Sequence, residues 1–419
     1  MQVKVLGAAG EVGRSAFVVE SEGSRVLLDY GVQMHREPLF PAHVRPKDLD
    51  ALVLSHAHLD HVGGAPLLYL SAGPTCYGTP VTRYLTELLL HDFLHISGPV
   101  LPFDSDAVRN FSKSYSPVGY EEEVRIGGIK MLLYDAGHIP GSAITLLENG
   151  SSVAYTGDMN TSKTQLLDGA KLPSLDVDVI ITESTYSYSD HPDRNEEEKR
   201  FVEAARSVVD NGGVFLVPSF AVGRAQEIAC ILYAHGFKGK VYMDGMALKT
   251  NQILLENGEY VRDVDYLSKA LSRVEYVTEW GTRQRAVRDP SVIISPAGML
   301  VGGASVFYNS HVAKDPRSAI AIVSFQVPGT PGARLLERHE VKLDGKRYSR
   351  VRADVQRFDF SSHLGKTELF NFFRHKVKGS PKVIVVHGEK EYSEGFAETL
   401  RKEIGLDASV PKVGEEIEV

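Results

Sequence analysis

Cysteine is nearly absent from this chain: Cys76 and Cys230 are the only two among 419 residues, in unrelated contexts. A disulfide framework is thereby excluded, and each thiol is expected to be buried and reduced, as suits a cytoplasmic protein. Tryptophan is rarer still, with Trp280 alone; beside Arg283 it offers a base-stacking surface, although packing is the commoner use of such a ring. No stretch approaches the roughly 20 continuous apolar residues of a membrane span, so no membrane partner is expected. The opening Met-Gln-Val-Lys-Val-Leu-Gly lacks the charged and apolar regions of a signal peptide. Positive charge is outnumbered: 46 Lys and Arg against 54 Asp and Glu leave a formal net charge of −8. That balance argues mildly against a nucleic-acid ligand, whose phosphates usually demand a basic footprint. Basic residues nonetheless gather at Arg283, Arg285 and Arg288, at Lys342, Lys346, Arg347, Arg350 and Arg352, and at Lys366, Arg374, His375, Lys376 and Lys378. Each such cluster reads first as solvated surface. No internal repeat or low-complexity segment is present.

What is present is a dense set of metal-ligating side chains. Ser-His-Ala-His-Leu-Asp-His-Val-Gly-Gly places His56, His58, Asp60 and His61 within one turn-like segment, directly after the strand-like Ala51-Leu52-Val53-Leu54. Imidazole and carboxylate suit zinc, and a pair of ions a few Å apart needs more ligands than one loop supplies. His138 and Asp158, each just past an apolar run, are placed to complete the set. Taken singly, Asp60 or Asp158 reads as a turn residue and His387 as a satisfied core histidine; the order and strand-end placement of the whole set favour ligation.

The length exceeds what one hydrophobic core prefers, and a 43% apolar fraction supports large cores, so two domains are expected. Short apolar runs at Gln2 to Leu6, Ala16 to Glu20, Arg25 to Asp29 and Ala51 to Leu54, then Ile129–Tyr134, Ala143–Leu147, Val153–Thr156 and Val179–Ile181, read as strands of a sheet-rich sandwich covered by helices. After Tyr188 the pattern changes. Polar Ser189 to Asn195 reads as a domain crossing, and Asn195 with Glu198 as a capping box for a helix that stops at Gly212–Gly213. Strands at Val214–Val217, Val241–Met243, Ser291–Ser295 and Ala319–Phe325 then alternate with helices, as in a mainly parallel α/β unit. Ser219 and Arg224, at a glycine-bearing entry to a helix, are candidate phosphate contacts, as is Ser361, though ordinary helix entry explains the first two equally well.

The histidine cluster resembles the signature of the metallo-β-lactamase superfamily, and further motifs follow in that family's order. Asp29 closes the strand Arg25-Val26-Leu27-Leu28. His138 lies in Asp-Ala-Gly-His-Ile-Pro-Gly-Ser and Asp158 in Tyr-Thr-Gly-Asp-Met. Glu183 in Thr-Glu-Ser-Thr-Tyr, His363 in Phe-Ser-Ser-His-Leu-Gly and His387 in Val-Val-His-Gly-Glu resemble the motifs of the β-CASP nucleases. The Glu-Ser-Thr-Tyr form is similar to cleavage and polyadenylation specificity factor nucleases, in particular to shorter archaeal homologues without KH domains. This resemblance implies an α/β fold: a metallo-β-lactamase αββα sandwich, residues 1–188 and 359–419, with an inserted α/β (β-CASP) domain, residues 189–358. It implies two Zn2+ per chain, one held by His56, His58 and His138, the other by Asp60, His61 and His387, with Asp158 bridging. It implies Asp60, Glu183 and His363 as catalytic residues, His363 being a general acid oriented by Glu183, and Asp29 as a support of the ligands. The expected activity is hydrolysis of RNA, endonucleolytic or 5′-to-3′ exonucleolytic, with single-stranded RNA as partner and a homodimer as one assembly to test. A DNA nuclease of the same group is the nearest alternative, although that branch typically carries valine where His387 stands. A small-molecule metallo-hydrolase would usually lack the Glu183/His363 pair, and a non-enzymatic subunit would usually lose ligands that this chain retains.

Overall fold

The computed structural model describes residues 1–34, 37–342 and 347–419. Lys346, one of the clustered basic residues, lies outside them. The chain divides into two compact units, one of residues 1–163, 168–190 and 362–419, the other of residues 164–167 and 191–361.

The first unit is built on two seven-stranded sheets. In one, the strands run in the order Glu416–Glu418, Gln2–Val5, Phe17–Ser21, Ser24–Leu28, Ala51–Val53, Thr75–Gly78 and Tyr115–Pro117. In the other the order is Ala408–Ser409, Lys382–Val386, Val179–Glu183, Ser151–Tyr155, Ala143–Asn149, Ile129–Asp135 and Val124–Ile126. Strand alternation explains the layering, because successive side chains face opposite ways. Val26 and Leu28 join Val3, Val5, Phe17 and Val53 against Met131, Leu133, Val153, Ile181, Ile384 and Val386, forming the core between the sheets. Leu27 and Leu52 face the other way, into a cluster with Leu90, Phe93 and Phe111 from the helices Pro80–Ser97 and Ser105–Lys113. Ile180, Val383 and Val385 meet Leu369, Phe372, Phe373 and Phe396 from Lys366–Lys376 and Lys390–Thr399. Helices thus cover both outer faces, the αββα arrangement expected.

The second unit has an all-parallel six-stranded sheet, ordered Glu275–Val277, Lys240–Asp244, Ser291–Ser295, Val214–Pro218, Ala319–Ile322 and Asp354–Arg357. Its central strands are buried on both faces, which accounts for their continuous apolar runs. One expectation needs correction. The helix Arg194–Asp210 is capped by Asp193, whose Oδ1 accepts the Glu196 N–H at 2.9 Å, not by Asn195. Glu198, expected in the capping box, is instead buried, accepting from Arg194 at 3.2 Å, His235 at 3.0 Å and Gln165 at 2.8 Å. The short segment 164–167 belongs to this unit through its backbone: the Gln165 and Leu166 N–H groups donate to Glu227 at 3.0 and 2.8 Å, and the Arg262 N–H donates to the Leu166 carbonyl at 2.9 Å.

Candidate metal and catalytic site

Every candidate ligand leaves the carboxyl end of a strand in the first unit. Parallel pairing makes those ends coincide: Ser24–Leu28 runs parallel to Ala51–Val53, and Ser151–Tyr155 to Val179–Glu183 and on to Lys382–Val386. Groups that follow such strands converge at one rim, the usual place for a site in sheets of this kind. Asp29 follows the first of these strands, and Ser55 and His56 the second. Asp158 follows the third, Glu183 ends the fourth, and His387 follows the fifth. Asp29 and His387 both turn the chain in the left-handed region, at φ 56° and 49°. Non-glycine residues hold that conformation where surrounding contacts enforce it.

The enforcing contacts at Asp29 are explicit. Its buried carboxylate accepts from Ser55 N at 2.7 Å, Ser55 Oγ at 2.6 Å and Tyr155 Oη at 2.7 Å, and takes His61 Nδ1 at 2.7 Å. The last bond fixes the His61 tautomer and turns Nε2 toward Asp158, 3.3 Å away. His138 is fixed the same way: its Nδ1 donates to the Ser362 carbonyl at 2.7 Å, leaving Nε2 for the cluster.

Two groups of donors result. His56, His58, His138 and Asp158 bring one ligand atom each within 4.8 Å of one another, and so do Asp60, His61, Asp158 and His387. Asp158 belongs to both, with Oδ2 at 3.5 Å from His56 Nε2 and Oδ1 at 3.1 Å from His387 Nδ1. In the first group, His58 Nδ1 stands 3.2 Å from His56 Nε2 and 3.1 Å from His138 Nε2. Three imidazole nitrogens facing one point cannot all be satisfied by one another's protons, but they match a cation's shell. In the second group, His61 Nε2, His387 Nε2 and Asp158 Oδ1 are buried without a hydrogen bond of proper geometry. Each such orphan costs about 1–3 kcal/mol, and a metal ion would satisfy all three. The residues present therefore fit a pair of divalent cations.

Electrostatics sort the histidines. Burial pushes His56 and His138 well below the ordinary imidazole range and His58 down to about 4, so these rings are neutral, the form that ligates metal. His387 goes the other way: burial opposes its charge, but Asp158 and Asp60 outweigh it and lift it to about 10. Burial also opposes charge on Asp158, yet His387 and His61 hold its carboxyl well below the usual range.

Beside the two groups sits a third arrangement. His363 Nδ1 donates to Glu183 Oε2 at 2.8 Å, and its Nε2 lies 4.0 Å from Asp158 Oδ2. Glu183 is buried, and Met159 ties the pair together: its N–H donates to Glu183 Oε1 at 2.8 Å and its carbonyl accepts the Leu364 N–H at 3.1 Å. Burial disfavours an imidazolium here, but the charges of Glu183 and Asp158 outweigh it and raise the His363 pKa.

The remaining candidates lie in the second unit. Ser219 is fully buried, its N–H donating to the Ser295 carbonyl at 3.0 Å. Arg224 opens the helix Arg224–Ala234 after Gly223, whose φ of 78° a residue with a Cβ would rarely adopt. Ser361 donates its N–H to Asp359 at 3.0 Å, and the Arg224 charge helps hold that carboxyl low, after its bond to His191. Trp280 is 57% exposed, and its ring lies 5.0 Å from that of Phe307. Ser55, Tyr155, Met159 and Ser362 were missed by sequence reasoning. All four stand inside the motifs that carry the ligands and His363, which is the signal they offer; what each does there, through a hydroxyl or a backbone group, is not encoded in the motif.

Fold and donor set together define a sandwich metallo-hydrolase architecture. The family model for the metallo-β-lactamase superfamily matches residues 9–199, that for the Beta-Casp domain residues 225–335, and that for the Zn-dependent metallo-hydrolase RNA specificity domain residues 348–411. The chain belongs to the metallo-β-lactamase superfamily, in the branch with an inserted Beta-Casp domain. It is 38% identical to RNase aCSPSF2 of Saccharolobus solfataricus, over 99% of this chain and 85% of that one. It is 32% identical to a probable RNase MJ4 of Methanocaldococcus jannaschii, over the full length of both. Ribonuclease TTHA0252 of Thermus thermophilus is also 32% identical across both full lengths. Among solved structures, a protein of unknown function from Enterococcus faecalis V583 shares the fold, with a TM-score of 0.61 at 14% identity, covering 99% of each chain.

Proposed function

We propose that this protein is a zinc-dependent ribonuclease that hydrolyses RNA phosphodiester bonds, as an endonuclease, a 5′-to-3′ exonuclease or both, in RNA processing or decay. The observation that carries the reading is the His363–Glu183 pair at 2.8 Å, set 4.0 Å from Asp158 beside the two donor groups. A hydrolase of small molecules can work with metal alone, whereas an RNA alkoxide leaving group needs a proton, and His363 is built to hold one. The ribonuclease names of full-length relatives support RNA as substrate.

In this reading His56, His58 and His138 would hold one zinc and Asp60, His61 and His387 the other, with Asp158 a member of both donor groups. The ions would polarise a phosphoryl oxygen and activate water. The protein's own groups do the rest. Asp29 keeps His61 in the ligating tautomer. Glu183 raises the His363 pKa and aims Nε2 at the leaving oxygen. Ser219, Arg224 and Ser361 are assigned to phosphate contacts. The buried free thiols Cys76 and Cys230 accord with a cytoplasmic location.

The test uses zinc-replete protein with a 5′-labelled linear RNA and a circular RNA. Circle cleavage requires endonuclease activity; mononucleotides from the linear RNA alone indicate an exonuclease. His363→Ala should lose about 10²–10⁴ in rate while keeping its zinc by elemental analysis. A wild-type rate in that variant, or full cleavage by protein with only trace zinc, would overturn the reading.

A further inference from the structure

The loop after Glu183 and the helix after His387 carry tyrosines that the chemistry above does not use. Tyr186 is buried, but Tyr188 is 44% exposed and Tyr392 39% exposed. Their rings form a continuous run. The Tyr186 ring lies 6.0 Å from that of His363, Tyr188 stacks on Tyr186 at 6.1 Å and 23°, and Tyr392 stacks on Tyr188 at 4.2 Å and 28°. The run starts at the proton donor and ends in solvent.

Large aromatic rings stacked in water leave apolar faces wet, a cost that folding usually avoids. Here the backbone holds them in place. Ser187 Oγ donates to the Tyr392 carbonyl at 3.2 Å, and Ser184 Oγ is 2.8 Å from Ser393 Oγ and donates to the Val386 carbonyl at 2.8 Å. The loop and the helix Lys390–Thr399 are thus pinned to each other a few residues beyond Glu183 and His387. The Lys366 N–H also donates to the Ser189 carbonyl at 3.0 Å, which ties the loop to the start of the helix Lys366–Lys376. Rigid, part-exposed aromatic faces are what a single-stranded nucleic acid uses, its bases stacking on the rings.

We propose that Tyr188 and Tyr392 form a stacking platform for an RNA base next to the scissile phosphate, and so set where along a single strand cleavage falls. This rests on the ribonuclease reading, and continuity through Tyr186 to His363 is what commits the platform to substrate instead of a protein partner.

The test is a set of single-stranded RNAs, each with one abasic nucleotide walked along the chain, given to wild-type protein, Tyr392→Leu and Tyr392→Phe. In wild type, one abasic position should raise KM roughly 5- to 100-fold, the range of a lost base–ring stack. Tyr392→Leu should raise KM on intact RNA by a similar factor and lose sensitivity at that position, because the partner is already gone. Tyr392→Phe keeps a ring and should restore both. The same oligonucleotides are read for binding by fluorescence anisotropy. If wild type binds them but cleaves none, the ribonuclease reading fails while the platform is still judged by the abasic pattern. Equal abasic sensitivity in wild type and Tyr392→Leu, or an unchanged KM in Tyr392→Leu, would overturn the platform, as would an RNA affinity unaltered in Tyr392→Leu.

Discussion

Replacing Glu183 with glutamine tests the proton donor with the least disturbance of shape. The carboxylate takes the Met159 N–H through Oε1 and His363 Nδ1 through Oε2. A glutamine that keeps its carbonyl on the buried Met159 N–H, which needs an acceptor, presents its NH2 to His363. The ring must then accept at Nδ1, and the imidazolium loses both a charge partner and a bond. A hydrogen bond to a charged group is worth about 1.5–3 kcal/mol. At 1.36 kcal/mol per unit that is roughly one to two pH units. The sign follows from the direction of the shift: His363 is raised in the folded protein, so the acid form persists below its raised pKa and is lost as pH climbs through it. Glu183→Gln should therefore move the basic limb of the rate profile to lower pH by about one to two units, with a fall of up to about 10- to 100-fold on that limb, since each unit removes at most a factor of ten of the acid form. Initial rates on a 5′-labelled RNA across about pH 5.5 to 9, with zinc content measured in parallel, provide the assay. An unmoved basic limb at unchanged zinc content would refute the pairing.

Two further substitutions separate the supporting groups. Asp29→Asn keeps an acceptor for Ser55 but removes the charge that fixes His61, so zinc affinity should fall about 10- to 100-fold in competition with a chelator; equal affinity would free Asp29 from that role. Arg224→Ala should weaken single-stranded RNA binding and lower its log-salt slope by about 0.7, the share of one phosphate contact, and an unchanged slope would take Arg224 out of the RNA surface.

The sandwich was legible because strands such as Ser24–Leu28 and Val179–Glu183 are apolar on both faces and end in polar motif residues. The donor set was legible for the same reason: His56, His58, Asp60 and His61 are adjacent in sequence, and the isolated His138, Asp158 and His387 each follow a strand. Less visible were elements whose signal is too short. The strand Glu416–Glu418 has a single buried residue, Ile417, and pairs with Gln2–Val5 at the opposite end of the chain, so its short charged sequence gives no strand signal of its own. The capping box was misplaced because Asn195 and Asp193 are both good caps, and only backbone direction selects Asp193. The Tyr155 hydroxyl on Asp29 and the Met159 backbone on Glu183 were out of reach, since no residue pattern encodes which hydroxyl or amide a buried carboxylate will meet.

The net charge of −8 also has to be reconciled with an RNA ligand. Much of the negative charge that matters is in the site itself. Without ions, Asp29, Asp60 and Asp158 bring three negative charges, and His61 and His387, both raised, return two. Glu183 faces His363, whose pKa is raised, as a separate pair. Two divalent ions would deprotonate His61 and His387 but add four positive charges, carrying the site from about one negative charge to about one positive with neutral water bound, or about zero with hydroxide. A phosphate backbone is repelled by the first state and attracted by the second, whatever the sum over the surface. RNA affinity should therefore depend on metal separately from cleavage. In His363→Ala, slowed in the chemical step, zinc should tighten binding of a short single strand by roughly tenfold or more, since each ion can also clamp a phosphoryl oxygen. The measurement is fluorescence anisotropy with and without zinc at several salt concentrations, with the fold followed by circular dichroism. Equal affinity in the two states, at equal folding, would mean that the metals serve chemistry alone and that RNA is held entirely by other surfaces.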